Sequence, residues 1–479
     1  MTELRRGFMS SGDLPRQWDE AADVVVVGSG FAGLAAAIEA KTAGVTVLIL
    51  EKMKGYGGNS AISDGVIAAC GTRLQREKGI ADSAHLMAAD MHKAGLGLNH
   101  PELVDTLTKH AGETFDWTLD YLGINYLERV DQFGGHSAAR SHTPTAQSGA
   151  VIVKQLLHKV RTLGLTIHTR TLMERILFNH EGRVCGVVIR RGFEYPTSAS
   201  GERKTIRVRR ALILAGGGFG SDVKLRAAQN PQLDQNVGTT NKYAATGETL
   251  KEALRIRAMP VHLCWIQLGP WTTPDEKGYG AGGRFIGYTV LPYGIIVDPD
   301  TAERFVNELE DRKQLCDALL RVGRPCIGIA DKKGVEASGW DVRRAVQKGT
   351  VKTYDRIKDL AAGFGLDSTR LSLTIQKFNR HFAAGRDTEF DKPMLERARP
   401  LQQAPFYGVR IQPKVHYTMG GILINAKAHV LDVDNRPIDG LFAAGEITGG
   451  VHGACRLGGS AIIDCLVFGR IAGKTAAAR

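Results

Sequence analysis

The chain has 479 residues, enough for two or three domains with a large core, and its 43% hydrophobic and 23% charged residues are those of a globular protein. Its seven cysteines are scattered, odd in number and never spaced CxxC or CxxCH, which gives no support to a disulfide framework, zinc ribbons, iron–sulfur ligation or covalent haem and fits a reducing cytoplasm. No metal site and no membrane span are expected, because no ligand cluster stands out and no run approaches the ~18 apolar residues a span requires.

The formal net charge is +12, but Lys and Arg are spread along the chain with no stripe of interleaved aromatics. Nucleic acid is therefore not an expected partner, and the charge reads as a basic solvated surface or as help for an anionic ligand. The opening residues, Met1 to Phe8, lack a long apolar stretch, so no signal peptide is expected.

In chain order, the first strong element is Ala22-Asp23-Val24-Val25-Val26-Val27, a run of β-branched residues that reads as a strand buried on both faces. It ends in Gly28-Ser29-Gly30-Phe31-Ala32-Gly33, and Leu34 to Ala40 then reads as a helix. A tight glycine turn lets backbone approach a pyrophosphate, and the helix N-terminus offers it unpaired N–H groups. A second strand, Val45 to Leu50, ends in Glu51, 18 residues past Gly33 and placed to accept hydrogen bonds from an adenosine ribose.

A second glycine loop follows at Gly57-Gly58-Asn59-Ser60, then Gly65. Two later strands also run into glycine, at Ala215-Gly216-Gly217-Gly218 and at Ala444-Gly445-Glu446. Nicotinamide needs no such second loop, whereas a flavin needs backbone along its ribitol and ring, so FAD is the expected dinucleotide.

Between these landmarks the pattern gives helices over 80–125, with Asn99-His100 before Pro101 as a start signal. Gly134 to Thr145 reads as a polar loop at the surface or in a site. A helix over 150–163, strands near 165–170, 174–178 and 183–190, and a helix opened by Thr246-Gly247-Glu248 come next. From 262 to 414 the texture shifts to short strands and Gly/Pro turns, including Gly278 to Gly283, followed by amphipathic helices such as Leu371 to Ala384. The expected fold is α/β: a discontinuous Rossmann-type FAD-binding domain, residues 1–261 and 415–479, with an inserted α+β domain over 262–414.

Three segments carry charged or imidazole groups: Arg304 to Arg312 and, amid glycines, the stretch around His416 and Gly450 to Ala461 with Arg456. Singly, Arg312 reads as a surface ion-pair partner, His416 as a core histidine and Arg456 as a clamp on a loop carbonyl. Converging beside a flavin, two guanidinium groups and an imidazole would suit a carboxylate, to which guanidinium donates two parallel hydrogen bonds.

From about Ala22 to Ala476 the sequence resembles the flavoprotein of the fumarate reductase and succinate dehydrogenase family, above all the soluble flavocytochrome c-type fumarate reductases without their haem domain. The motifs that carry the resemblance are GGNS, RSHTPT, RFVNExxxR, HYTMGG and AAGExTGGVHGACRLGGSA. It implies a Rossmann-type FAD domain interrupted by a mobile capping domain, Arg312 as proton donor, and His416 and Arg456 as carboxylate ligands. It implies FAD contacts at Gly28, Gly30, Phe31, Ala32, Gly33, Glu51, Lys52, Gly58, Asn59, Ser60 and Gly65, then at Ala215, Gly216, Gly217, Thr246 and Gly247, and finally at Gly445, Glu446, Ser460, Ala461 and Ile462. Relatives that attach FAD covalently use a His where Asn59 stands, so the FAD is expected to be non-covalent. Whether Arg312 gives up a proton or only stabilises developing negative charge stays open, because a guanidinium is a very weak acid that ordinarily stays charged.

The chain departs from the fumarate pattern. Relatives acting on fumarate carry Q-x-H-P-T where this chain has Gln267-Leu268-Gly269-Pro270-Trp271. Their relay Thr, Glu and Arg fall on Ile286, Gly287 and Val290, with Tyr288 and Tyr293 as substitutes. The implied activity is hydride transfer between flavin N5 and a C=C or CH–CH unit of a carboxylate- or carbonyl-bearing small molecule. Fumarate itself is not expected, and a substrate bulkier and less charged at one end is. An enoate reductase, a cyclic-ketone or ketosteroid-type desaturase, and a flavoprotein subunit serving an unknown electron donor or acceptor all remain open.

Overall fold

The computed structural model describes residues 14–197 and 199–479, so the expectation for Met1 to Phe8 lies outside the described residues. The chain forms two compact units: the first holds residues up to Gln232, Asn241–Ile266 and Tyr417–Arg479, the second Leu233–Thr240 and Gln267–His416. Leu233–Thr240, which the sequence reading places in the first domain, belongs to the second.

The first unit is built on an eight-stranded sheet: β1 (Glu20–Val27), β2 (Val47–Leu50), β3 (Thr166–His168), β4 (Thr171–Phe178), β5 (Val184–Arg191), β6 (Glu202–Leu214), β7 (His429–Leu431) and β8 (Pro437–Ala443). Its spatial order is β7-β8-β6-β1-β2-β3, with β4 and β5 added through the first half of β6. The pairs β6–β8, β6–β1, β1–β2 and β2–β3 are parallel, as expected for a doubly wound α/β fold. Val24, Val25 and Val26 are fully buried because β1 sits centrally, hydrogen-bonded to β2 on one side and β6 on the other.

Helix α1 (Phe31–Thr42) is apolar nearly all round and α2 (Ser460–Ala477) covers it, with Gly469 and Gly473 against the backbone of Ala32 and Ala36. The turn between β1 and α1 needs its glycines. Gly28 has φ +108° and a Cβ there would overlap the Ala215 carbonyl, while a Cβ on Gly33 would overlap the Gly28 carbonyl.

The stretch read as a polar loop contains a buried strand, Ser141–Pro144, paired with Tyr126–Asp131 and Ile67–Ala68. Burial is tolerable because Arg140, fully buried, is neutralised by Asp82 (2.8 Å) and Asp90 (2.6 Å). His142 stacks on Phe115 with ring centroids 4.0 Å apart, and its burial pushes its pKa down to about 4, leaving it neutral.

The second unit carries an antiparallel sheet ordered Ile295–Val297, Cys326–Asp331, Phe406–Ile411, Lys352–Tyr354. Alternate residues feed two separate cores: Ile296, Cys326 and Ala330 one, Ile295, Val297, Ile327 and Ile329 the other. A second correction falls at Gly278 to Gly283. Gly280–Phe285 is helical and passes into a π-helical turn, Ile286–Val290, since the Glu276 carboxylate accepts the Ala281 and Gly282 N–H groups.

The RFVNE segment is fixed by burial of charge. Arg304 pairs with Glu308 (2.7 Å) and Asp387 (2.9 Å), and Lys392 lies 3.3 Å from Glu308. Glu308 also accepts the Ile296 N–H, tying the segment to the sheet edge just before the helix Arg312–Val322.

Candidate active site

In the first unit the dinucleotide cradle lies at the C-terminal ends of β1, β2, β6 and β8, where an open parallel sheet places its ligands. Gly30 is the N-cap of α1 and has no side chain to bond the helix end, and the Phe31 N–H is held by Ser60 Oγ at 3.1 Å. Glu51, at the end of β2, accepts Ser29 Oγ (2.5 Å) and the Met53 N–H (2.8 Å), so its carboxylate is already oriented. Ser29, which also receives the Gly57 N–H, joins the first glycine turn to the second. That bridge is a residue sequence reasoning missed. Lys52 pairs with Glu248 at 2.6 Å beside Thr246.

The donor set fits a dinucleotide with a flavin. Ser460 Oγ is fully buried at the start of the 18-residue α2, behind Gly459, and has no hydrogen-bond partner among the described residues. Ser141 Oγ and Thr143 Oγ1, on one face of their strand, are likewise buried without partners. Such hydroxyls call for a ligand or water, and alternation within RSHTPT is the signal that could have singled out these two.

Asn59 hydrogen-bonds Asn241 Oδ1 (2.5 Å) and accepts the Lys242 N–H (2.8 Å). An amide so engaged offers no nucleophile to the flavin methyl group. Acid or heat denaturation followed by ultrafiltration is therefore expected to release unmodified yellow FAD, and flavin that stays with the polypeptide through denaturing electrophoresis would refute this.

Arg456, 4% exposed, lies with its guanidinium 4.5 Å from the Tyr417 ring centroid and donates to the Leu457 carbonyl. Nearby, Glu446 accepts the Thr418 N–H at 3.1 Å, in space that a side chain on Gly218 would fill. Burial pushes the Glu446 pKa up to about 7, although the Thr418 N–H and Arg456 pull the other way. Folding thus raises this carboxyl's proton affinity. Its stabilising contribution is complete below about pH 4.5 and is lost as pH climbs to about 7, an effect on the order of 3 kcal/mol. Urea midpoints of the apoprotein should fall over that window, and Glu446→Gln should flatten the slope; equal slopes would show that Glu446 titrates normally.

In the second unit Arg312 and His416 meet at Trp271. The Arg312 guanidinium stands 4.2 Å over the indole and donates to Gln267 Oε1 at 3.3 Å. The His416 ring is edge-on to the same indole at 5.1 Å, with Thr240 Oγ1 2.7 Å from its Nδ1. Arg312 is the first residue of its helix, which Asp311 caps through the Lys313 and Gln314 N–H groups. His416 immediately precedes Tyr417, the ring beneath Arg456.

A Cβ placed on Gly269 would lie 3.5 Å from His416 Cβ, Thr272 Cγ2 and Trp271 Cε2. Arg284 lies over Tyr279 and Trp340, and His262 sits edge-on to His100 in the first unit. Of the proposed relay tyrosines, Tyr288 stacks on Trp340 at 4.6 Å and Tyr293 lies under Arg397, whereas Tyr279, unforeseen, faces Trp271 at 6.4 Å.

The family profile described as "FAD binding domain" matches residues 23–462. The acrylate reductase flavoprotein subunit of Shewanella woodyi is 40% identical over 465 residues, covering 96% of this chain and 92% of that one. Among solved structures, the open conformation of a flavocytochrome c3 fumarate reductase matches with a TM-score of 0.76 at 33% identity, covering 96% of this chain and 79% of its own. A 3-ketosteroid-Δ4-(5α)-dehydrogenase from Rhodococcus jostii RHA1 matches with the same TM-score at 25% identity, covering 98% and 99%. Among the described residues no helix is long and apolar enough to cross a membrane. With the glycine cradle, the buried unpartnered hydroxyls and these relatives, the chain belongs to the FAD-binding flavoprotein family of the fumarate reductases and is an FAD-dependent oxidoreductase acting on C=C and CH–CH bonds.

Proposed function

We propose that this chain reduces α,β-unsaturated monocarboxylates with a small or absent substituent on the β-carbon. The carrying observation is at Gly269: the three atoms nearest to where a Cβ would lie are carbons, of His416, Thr272 and Trp271. A dicarboxylate directed there would bury a charged end against an apolar wall, costing roughly 1–3 kcal/mol or more, whereas a vinyl CH₂ would lose nothing. The 40% identity to an acrylate reductase flavoprotein subunit supports the same substrate class and the reductive direction.

In this reading His416 and Arg456 hold the carboxylate, and the Thr240 hydroxyl, 2.7 Å from His416 Nδ1, orients the imidazole. Arg312 delivers a proton to the α-carbon, where negative charge builds as the double bond is consumed, and Gln267 and Trp271 fix the plane of its guanidinium. FAD, when bound and reduced, supplies the hydride to the β-carbon. The orienting groups would be Gly28, Gly30, Glu51, Asn59, Glu446 and Ser460. Incubation of holoenzyme with acrylate and reduced methyl viologen should yield propionate, identified by NMR. Absence of propionate, with fumarate turned into succinate instead, would overturn the proposal.

A further inference from the structure

We propose that Trp271 determines which unsaturated acids are accepted and positions Arg312 to act on them; this rests on the monocarboxylate reading above. The indole is 8% exposed, so it is a fixed wall. Three groups share it: Arg312 over its face at 4.2 Å, His416 edge-on at 5.1 Å and Tyr279 edge-on at 6.4 Å. Gly287, in the π-helical turn, backs it, since a Cβ there would lie 3.6 Å from Trp271 Cβ and 3.4 Å from Tyr279 Oη.

Two consequences follow from this seating. A guanidinium held over an indole face and hydrogen-bonded to Gln267 Oε1 is restricted in the directions its N–H groups can take, which an ammonium or a loose arginine would not be. The ring also flanks the side-chain-less position 269, with Cε2 3.5 Å from where a Cβ would lie, so a group extending from the β-carbon toward that position is set against the indole. Trp271 therefore couples substrate size to proton delivery: a substituent large enough to displace the indole also displaces Arg312.

The test compares wild-type, Trp271→Phe and Trp271→Ala holoenzymes on acrylate and cinnamate, with binding of the unreactive acids propionate and 3-phenylpropionate read from the shift of the flavin absorption band. Wild type should favour acrylate over cinnamate in kcat/KM by about 100-fold. Trp271→Ala should lose about 10–100-fold in kcat on acrylate with KM little changed, because Arg312 loses its plate. The same variant should gain about tenfold on cinnamate in kcat/KM and bind 3-phenylpropionate about tenfold more tightly. Trp271→Phe, which keeps a ring face, should retain most acrylate turnover, and Trp271→Leu replaces the Ala variant if that one does not accumulate with flavin. Equal losses on both acids, no change on either, or a wild type that prefers cinnamate would each overturn the assignment. A wild type that reduces no unsaturated acid would overturn the function proposed above, while the 3-phenylpropionate titration would still report on Trp271.

Discussion

Replacing Arg312 by lysine is expected to lower kcat by about 10²–10⁴-fold, the range a positioned general acid supplies, while KM moves by no more than a few fold. Lysine keeps one positive charge. It loses the planar fork that donates to Gln267 Oε1 at 3.3 Å and the guanidinium contact 4.2 Å over Trp271, and its flexible ammonium is less firmly oriented. Ground-state attraction for an anion survives and delivery of a proton along one direction does not. Steady-state kinetics on acrylate with reduced viologen measures both parameters. A lysine variant with near wild-type kcat would make Arg312 structural.

Arg456→Ala is expected to fail in the opposite way, with KM rising about 100-fold and kcat falling about tenfold as a less firmly held substrate drifts from its attack geometry. The side chain is 4% exposed against the Tyr417 ring, so its interactions are little screened by solvent. Removing it also deprives Glu446 of the nearby cation that lowers its proton affinity, so the pH at which that carboxyl ionises should rise further. Arg456→Lys should recover part of the affinity. A variant that folds, by its thermal midpoint, and keeps wild-type KM would place the substrate carboxylate elsewhere.

The cradle was legible because its signals are local. Four consecutive valines demand a strand packed on both faces, and the overlap of a Gly28 or Gly33 Cβ with backbone explains why only glycine serves there. The burial of Ser141–Pro144 was not legible, since the acids that neutralise Arg140 lie 58 and 50 residues away. The helix at Gly280 read as a turn because glycine disfavours helix and the cap, Glu276, hydrogen-bonds from outside it.

Arg312, His416 and Arg456 were visible as residues of familiar motifs, but their surroundings were not. That Trp271 stands between Arg312 and His416 depends on pairing Ile266–Gly269 with Lys414–Thr418, some 150 residues apart in sequence. The expectation of a substrate less charged at one end than fumarate carries into the proposal, and the indole beside Gly269 is the reason that proposal is for a small β-substituent rather than a bulky one.

The central claim is that one carboxylate end is built and the other is apolar, and flavin reoxidation tests it without any electron donor in the way. Photoreduced holoenzyme would be mixed anaerobically in a stopped-flow instrument with acrylate or fumarate over a range of concentrations. The account predicts fast, saturable reoxidation by acrylate and a second-order rate constant for fumarate lower by about 10–100-fold, the penalty of one poorly paired buried carboxylate. Fumarate reoxidising the flavin as fast as acrylate, with saturation at micromolar concentration, would contradict it.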